Sequence, residues 1–173
     1  SIKVIKINLI GKIQLKNMLM SILAAKNSNL SLDKIFEVIP KIKSVEGRFE
    51  RIGKIKNNSK VILDYAHTPE ALKTCILNLR EQFKEKRICV LFGCGGNRDQ
   101  NKRFQMGKIV SDYSDKIYLT DDNPRFENPK KIRRDIKKGI NNKKVIEISN
   151  RAKAISVAIK NLNSGEILLI AGK

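Results

Sequence analysis

Short apolar runs alternate with amphipathic helical segments from residue 60 to residue 170 of this chain. The apolar runs predict strands at residues 60–63, 87–92, 116–120, 145–148 and 166–170. Helices are predicted between them at residues 69–85, 104–114, 130–140 and 151–161. Parallel strands need a long crossover connection, usually a helix, so this order predicts an α/β fold in which a mostly parallel sheet carries helices on both faces.

The first 46 residues follow a different pattern. One buried helix face is predicted from apolar residues at three- and four-residue steps, namely Leu15, Met18, Leu19, Ile22 and Leu23. Ser31 is a suitable N-cap for a second short helix, which Pro40 is expected to end. Two such helices cannot enclose a core, so we expect residues 1–46 to be the helical end of a preceding domain and residues 47–173 to form the next one.

Glycine and polar residues directly follow four of the predicted strands. These segments are Asp64-Tyr65-Ala66-His67-Thr68-Pro69, Gly93-Cys94-Gly95-Gly96-Asn97-Arg98-Asp99, Asp121-Asp122-Asn123-Pro124-Arg125 and Ala171-Gly172-Lys173. Ligands of open α/β sheets bind outside the carboxyl ends of the strands. The four segments are therefore predicted to form an active-site edge.

The chemistry of these segments favours anionic and zwitterionic ligands. Thr68 is a predicted helix N-cap, which places His67 near a helix N-terminus, where phosphate is favoured. The glycines of residues 93–96 permit a tight turn, and Arg98 can bind a carboxylate or phosphate through two parallel hydrogen bonds. The acid, amide and guanidinium groups of residues 122–125 suit an amino acid with both ammonium and carboxylate ends.

Together these segments resemble the Mur ligase family, in their order and their spacing. The resemblance also includes Gly47-Arg48-Phe49-Glu50 and covers essentially the whole chain. It implies that residues 47–173 are the Rossmann-like C-terminal, amino-acid-binding domain, truncated at its C-terminus. It also implies that residues 1–46 are the helical end of the central ATP-binding domain.

The resemblance implies an ATP-dependent acid–amino-acid ligase of peptidoglycan biosynthesis. In that family ATP phosphorylates the carboxylate of UDP-N-acetylmuramoyl-L-alanyl-D-glutamate, and the amine of an incoming amino acid attacks the acyl phosphate. The sequence Asp122-Asn123-Pro124-Arg125 is similar to that of the branch that adds meso-diaminopimelate instead of lysine. ATP and both of these compounds are the implied ligands.

The family's site residues can be placed on this sequence by the same motifs. The residues implied to bind meso-diaminopimelate are Arg98, Asp122, Asn123, Pro124, Arg125 and Gly172. Arg48 and His67 are similar to groups that face the ATP phosphates, and Asn17 to a contact with the nucleotide base. No catalytic residue and no metal ligand is implied within this chain, since magnesium (Mg2+) would be held by the central domain.

Some family features differ or have no counterpart in this sequence. Asn97 replaces a usual aspartate, and Ile13 and Gln14 stand where phenylalanine and asparagine are usual. The glycine-rich P-loop, the magnesium-binding glutamate and the carbamylated lysine have no counterpart. The chain alone is therefore expected to be inactive.

The formal net charge of +19 is compatible with a nucleic-acid or membrane-surface protein. However, the lysines are spread over the chain, and no aromatic motif of an RNA-binding type is present. We therefore expect no specific nucleic-acid partner. We also expect no membrane association and a monomeric protein.

Two alternative functions remain. The first is another amide ligase of the superfamily, such as the tetrapeptide-completing enzyme, folylpolyglutamate synthetase or cyanophycin synthetase. The second is a non-catalytic basic binding domain.

The cellular compartment is predicted from the cysteines and the apolar runs. Cys75, Cys89 and Cys94 are an odd number without zinc-type spacing, which favours free thiols in a reducing cytoplasm. The longest apolar runs have strand length, and the start of the chain alternates apolar and charged residues instead of forming a signal peptide. A cytoplasmic location is the expectation.

Overall fold

A six-stranded sheet in the order β1-β2-β6-β3-β4-β5 organises the chain. The computed structural model describes residues 4–53, 55, 58–141 and 145–172. The strands are β1 (Glu50–Ile52), β2 (Lys60–Asp64), β3 (Ile88–Phe92), β4 (Lys116–Leu119), β5 (Val145–Glu147) and β6 (Ile167–Ala171). Every pairing is parallel except that of the short edge strand β1 with β2, which is antiparallel.

Six α-helices accompany the sheet in the described part of the chain. They are α1 (Lys12–Asn27), α2 (Leu32–Val38), α3 (Pro69–Gln82), α4 (Asn101–Tyr113), α5 (Pro129–Lys137) and α6 (Arg151–Lys160). Helices α3, α4 and α5 pack in a row on one face, and α6 covers the other. The predicted α/β class, with helices on both faces of a mostly parallel sheet, is confirmed.

Alternate strand residues supply the two cores, because successive side chains of a strand point to opposite faces. In β3, Ile88, Val90 and Phe92 belong to the core beneath α3, α4 and α5. Cys89 and Leu91 belong to the core beneath α6. All five are fully buried, as expected for a central strand of a parallel sheet covered on both faces.

Some predicted boundaries are wrong by a few residues. Helix α3 ends at Gln82 instead of residue 85, because Phe83 leaves the helical backbone conformation. Helix α4 begins at Asn101 instead of residue 104, and its N-cap residue, Gln100, makes no side-chain capping bond. The Asp99 side chain accepts a hydrogen bond from the Asn101 amide at 2.9 Å, so the signal for this start lies one residue before the N-cap position.

The N-terminal helices are largely exposed. Of the apolar face predicted on α1, only Met18 is buried, and Leu19 and Leu23 are more than half exposed. Met18 forms a small cluster with Ile35 and Ile39, apart from the two cores of the sheet. The described residues therefore leave most of the predicted face uncovered, and its burial stays a prediction that depends on the rest of the preceding domain.

The predicted cap of α2 is confirmed. The Ser31 side chain accepts a hydrogen bond from the Lys34 amide at 3.4 Å. Helix α2 ends at Val38, and Pro40 lies in the short 3-10 turn Ile39–Lys41 that follows. No helix in the described segments is both long enough and apolar enough to cross a membrane.

Candidate functional site

A cavity of about 820 Å³ lies at the carboxyl ends of β2, β3 and β4. Its walls are the loops that follow these strands and the first turns of α3 and α4. The lining residues are Tyr65, His67, Thr68, Pro69, Glu70, Gly95, Arg98, Asp99, Lys102, Gln105, Asp122, Asn123 and Arg125. Three of the four segments predicted from the strand ends therefore share one cavity.

The loop after β2 is fixed by its own side chains. The Asp64 carboxylate accepts hydrogen bonds from the Phe49 and Ala66 amides, each at 2.8 Å. Thr68 accepts a bond from the Ala71 amide at 3.2 Å and is the N-cap of α3, as predicted. His67, just before this cap, lies at the helix N-terminus, where the helix dipole favours an anion.

His67 and Arg48 both contact the ring of Tyr65. The Tyr65 and His67 ring centroids are 5.2 Å apart in an edge-to-face arrangement. The Arg48 guanidinium carbon lies 5.2 Å from the Tyr65 ring centroid. His67 Nδ1 is 3.0 Å from the Tyr65 carbonyl oxygen, which can only accept, so this nitrogen carries the proton and Nε2 is left for other partners.

Asn17 does not lie in the cavity with His67. It is exposed on α1 and lines a separate, mainly apolar groove of about 500 Å³ between α1, α2 and residues 42–45. Gln14, one turn earlier, donates through Nε2 to the Arg48 carbonyl at 2.8 Å. Arg48 is thus connected to α1 through Gln14 and to the cavity through Tyr65, whereas Asn17 lines a different groove.

The loops after β3 and β4 are joined through their backbones. The Gly96 amide donates to the Asn123 carbonyl at 2.9 Å, and Arg125 Nη1 donates to the Gly96 carbonyl at 2.7 Å. A Cβ at Gly96 would lie 1.9 Å from the Pro124 carbonyl oxygen, so only glycine fits this contact. Pro124 is thus a backbone contact of Gly96 and is absent from the cavity wall, whereas Asn123 and Arg125 line it.

Asn97, which stands where the Mur ligases that this sequence resembles usually have aspartate, connects the loop after β3 to the loop after β4. Its Oδ1 accepts a hydrogen bond from the Phe126 amide at 3.1 Å. A carboxylate oxygen of aspartate can accept the same bond, so the exchange preserves this link between the two loops.

Gly172 lies behind the cavity wall and is held by Arg151. The Gly172 amide donates to the Asp64 carbonyl at 3.1 Å, and its carbonyl accepts from the Arg151 guanidinium. Burial lowers the pKa of the Arg151 guanidinium, and the nearby Asp122 carboxylate opposes that shift. Lys173, the last residue of the predicted fourth segment, lies outside the described residues.

Sequence analysis did not single out several residues of this region, and Glu70 in the cavity wall is one of them. Lys102 lines the cavity and donates through Nζ to the His67 carbonyl at 3.0 Å, but it was placed before the predicted start of α4. Tyr65 was quoted only as part of a motif. Arg151 follows β5 and so lies at a fifth strand end, which is the signal that could have identified it.

The cavity combines both signs of charge. Arg98, Lys102 and Arg125 are its cations, and Glu70, Asp99 and Asp122 are its acids. Such a lining complements a ligand that carries carboxylate and ammonium groups together. The described segments contain no group of three histidine, cysteine or acidic residues that could hold a metal ion.

The cysteines are not candidate nucleophiles. All three are buried and free. Burial raises the pKa of the Cys94 thiol to about 11 and that of Cys89 to about 12, and it raises the pKa of Cys75 further. These residues therefore remain uncharged thiols at neutral pH and act as small apolar side chains.

Comparison with known proteins identifies the family. The profile described as "Mur ligase, glutamate ligase domain" matches residues 47–173. The chain belongs to the Mur ligase family. Over 167 residues it is 43% identical to the UDP-N-acetylmuramoyl-L-alanyl-D-glutamate–2,6-diaminopimelate ligase of Rickettsia felis, covering 96% of this chain and 31% of that protein. The ligase 1 of that name from Clostridium acetobutylicum is 39% identical over 170 residues, covering 98% of this chain and 35% of that protein.

Solved structures share the fold of this chain. A UDP-N-acetylmuramoyl-L-alanyl-D-glutamate–2,6-diaminopimelate ligase superposes with a TM-score of 0.73 at 32% identity, covering 98% of this chain and 34% of that one. A folylpolyglutamate synthase of Mycobacterium tuberculosis has a TM-score of 0.76 at 18% identity, covering 98% and 39%, and this likeness shows the fold alone. The chain spans about a third of the length of the curated relatives described above.

Proposed function

We propose that this chain is the amino-acid-binding part of an ATP-dependent ligase that adds meso-diaminopimelate to UDP-N-acetylmuramoyl-L-alanyl-D-glutamate in peptidoglycan synthesis. The observation that carries the proposal is the single cavity that Arg98, Asp122, Asn123 and Arg125 line together. The identity of 43% to a 2,6-diaminopimelate ligase supports the choice of amino acid.

The cavity residues have distinct roles in this proposal. Meso-diaminopimelate carries two carboxylates and two ammonium groups. Arg98 and Arg125 can bind the carboxylates, and Asp122 and Asn123 can bind an ammonium group. ATP transfers its γ-phosphoryl group to the carboxylate of the muramyl dipeptide and leaves as ADP. The ammonium group of the amino acid loses a proton, and the resulting amine nitrogen forms a bond to the activated carbonyl carbon. The bond from that carbon to the phosphate oxygen then breaks, inorganic phosphate leaves, and the nitrogen gives up a second proton to become the amide.

His67 and Arg48 are proposed to contact the ATP phosphates. His67 lies at the N-terminus of the 14-residue helix α3, on the cavity wall opposite the Asp122 loop. The cavity would therefore bring the phosphate end of ATP and the incoming amine to one place, as an acyl-phosphate mechanism needs. Arg48, Asn17 and Gly172 do not line this cavity and stay predictions as ligand contacts.

The division into domains is also a proposal. Residues 1–46 would be the end of the central ATP-binding domain, and residues 47–173 the amino-acid-binding domain. The family profile begins at residue 47, and the cluster of Met18, Ile35 and Ile39 is separate from the cores of the sheet. The exposed apolar residues of α1 would then pack against the rest of the central domain, which would also bind magnesium.

An activity measurement with the full-length protein tests this function. With ATP, magnesium and the muramyl dipeptide, we expect ligation of meso-diaminopimelate and little ligation of lysine. The 173-residue chain alone should neither hydrolyse ATP nor ligate, because its sequence contains no P-loop. Turnover by this chain alone, or a full-length protein that prefers lysine, would contradict the proposal.

Nucleic-acid binding separates the ligase from a basic binding protein. Because the basic residues are dispersed, we expect binding to duplex DNA or RNA to be weak, independent of sequence and lost as salt approaches physiological strength. Fluorescence anisotropy with two unrelated duplexes at two salt concentrations measures this. A tight, sequence-selective complex at physiological salt would favour the basic binding protein.

We further propose that the whole ligase is a cytoplasmic monomer.

A further inference from the structure

Arg103, on the first turn of α4, is the largest fully buried side chain in the described part of the chain. Its Nη2 donates to both carboxylate oxygens of Glu127, at 2.8 and 2.9 Å. Its Nη1 lies 3.5 Å from the Asp135 carboxylate, and its Nε is buried without a hydrogen-bond partner. Burying a guanidinium is costly even when it is paired, and apolar residues of similar volume often give equal or greater stability. Arg103 is therefore poorly explained as a stabilising residue alone.

Glu127 connects Arg103 to the two loops that bear the candidate amino-acid contacts. Besides the Arg103 guanidinium, its carboxylate accepts a hydrogen bond from the Asn97 amide at 2.5 Å. The Asn97 side chain in turn accepts from the Phe126 amide at 3.1 Å. The hydrogen bonds from Arg103 and Asn97 lower the pKa of Glu127, so the carboxylate is ionised at neutral pH. Glu127 thus fixes the loop after β3 against the loop after β4.

These connections reach the two arginines of the cavity. Arg98 directly follows Asn97, whose amide Glu127 holds. Arg125 lies two residues before Glu127, in a left-handed backbone conformation with φ of 49°, and donates to the Gly96 carbonyl. A shift of Glu127 would therefore change the separation of the two guanidinium groups. In a ligand with a carboxylate at each end, that separation matches a particular chain length.

We propose that Arg103 and Glu127 are a positioning pair that fixes the distance between Arg98 and Arg125 and so selects a dicarboxylic amino acid of one length. The pair touches no substrate, since neither residue lines the cavity. The role of this pair in amino-acid selectivity rests on the proposed function. Its role in holding the loops after β3 and β4 together does not. Misplacement of a binding group by a small distance is enough to weaken binding strongly.

Asp135 provides a matched control. It is the second acidic partner of Arg103, but it lies on α5 and its other described partner is Lys138, at 2.8 Å. Glu127→Gln and Asp135→Asn are the same chemical change on two partners of one guanidinium. Only the first weakens the acceptor that joins the two loops, because glutamine offers one uncharged oxygen to the Asn97 and Arg103 donors in place of two charged ones.

The test uses the full-length protein and two measurements. Hydrogen exchange of the Asn97 and Phe126 amides should be about tenfold faster in Glu127→Gln and nearly unchanged in Asp135→Asn, equivalent to about 1.4 kcal/mol of local opening. The KM for meso-diaminopimelate should rise about tenfold in Glu127→Gln, with the KM for ATP unchanged and Asp135→Asn close to wild type. If the exchange rates of these two amides were the same in Glu127→Gln and Asp135→Asn, the proposal that Arg103 and Glu127 position the loops would be wrong.

A double variant covers the case in which Glu127→Gln does not fold. Arg103→Met with Glu127→Leu replaces the pair by apolar residues and should retain the Tm while showing the faster loop exchange and the raised KM. Wild-type values for both measurements in this variant would also overturn the proposal. A wild-type protein that does not use meso-diaminopimelate would refute the proposed function, and the exchange comparison would still decide whether Arg103 and Glu127 hold the loops.

Discussion

Replacing Arg125 with alanine in the full-length ligase is expected to raise the KM for meso-diaminopimelate at least roughly tenfold. This amino acid differs from lysine by one carboxylate at the far end of the side chain. A charge-assisted hydrogen bond to such a group is worth about 1.5–3 kcal/mol, and about 1.4 kcal/mol changes binding tenfold. The KM for ATP should stay nearly constant, because Arg48 precedes β1 and His67 follows β2, so neither lies on the loop of Arg125.

Two further variants make the Arg125→Ala result specific. Arg125→Lys keeps the positive charge but cannot form bidentate hydrogen bonds to a carboxylate. Its KM for meso-diaminopimelate should therefore lie between those of wild type and Arg125→Ala. Arg134→Ala removes an exposed arginine of α5 outside the cavity and should leave both KM values unchanged. Loss of ATP binding with normal use of meso-diaminopimelate in Arg125→Ala would show that the loop has been assigned to the wrong ligand.

Changing Gly107 to alanine is expected to destabilise the protein by about 1–3 kcal/mol. In an exposed helix interior the same change usually stabilises by about 1 kcal/mol, since alanine is the better helix former. Here the added Cβ would lie 2.1 Å from the Ile136 carbonyl oxygen, which is backbone of α5 and cannot rotate away. The change would force α4 and α5 apart, together with the buried contacts between them.

Urea unfolding measures this effect against a neighbouring control. Lys108→Ala is the next residue of α4 and is exposed, so its free energy of unfolding should stay within about 0.5 kcal/mol of wild type. Gly107→Ala should show a lower midpoint with a similar slope. A midpoint raised by Gly107→Ala would mean that α4 and α5 do not pack backbone against backbone at this residue.

The regular elements could be predicted from the sequence because their signals are local. The continuous apolar run of β3 and the Thr68 cap with Pro69 at the start of α3 depend only on neighbours in the chain. The start of α4 differs from the prediction because the side chain that accepts from its first amide is that of Asp99 and not that of the N-cap residue Gln100. The face of α1 has the spacing of a buried helix, yet most of it is exposed, because periodicity shows which residues share a face but not what covers it.

The sequence by itself determined which residue types follow each strand, and in a parallel sheet these meet at one edge. Only the tertiary structure decided which of them share a cavity. Strand β6 lies between β2 and β3, and this order places Gly172 against Asp64 and Arg151 instead of in the cavity wall. The bond between Arg103 and Glu127 joins residues 24 positions apart on two different elements. No periodicity encodes such a contact, because it arises only when a helix and a loop pack side by side and a buried charge requires a partner.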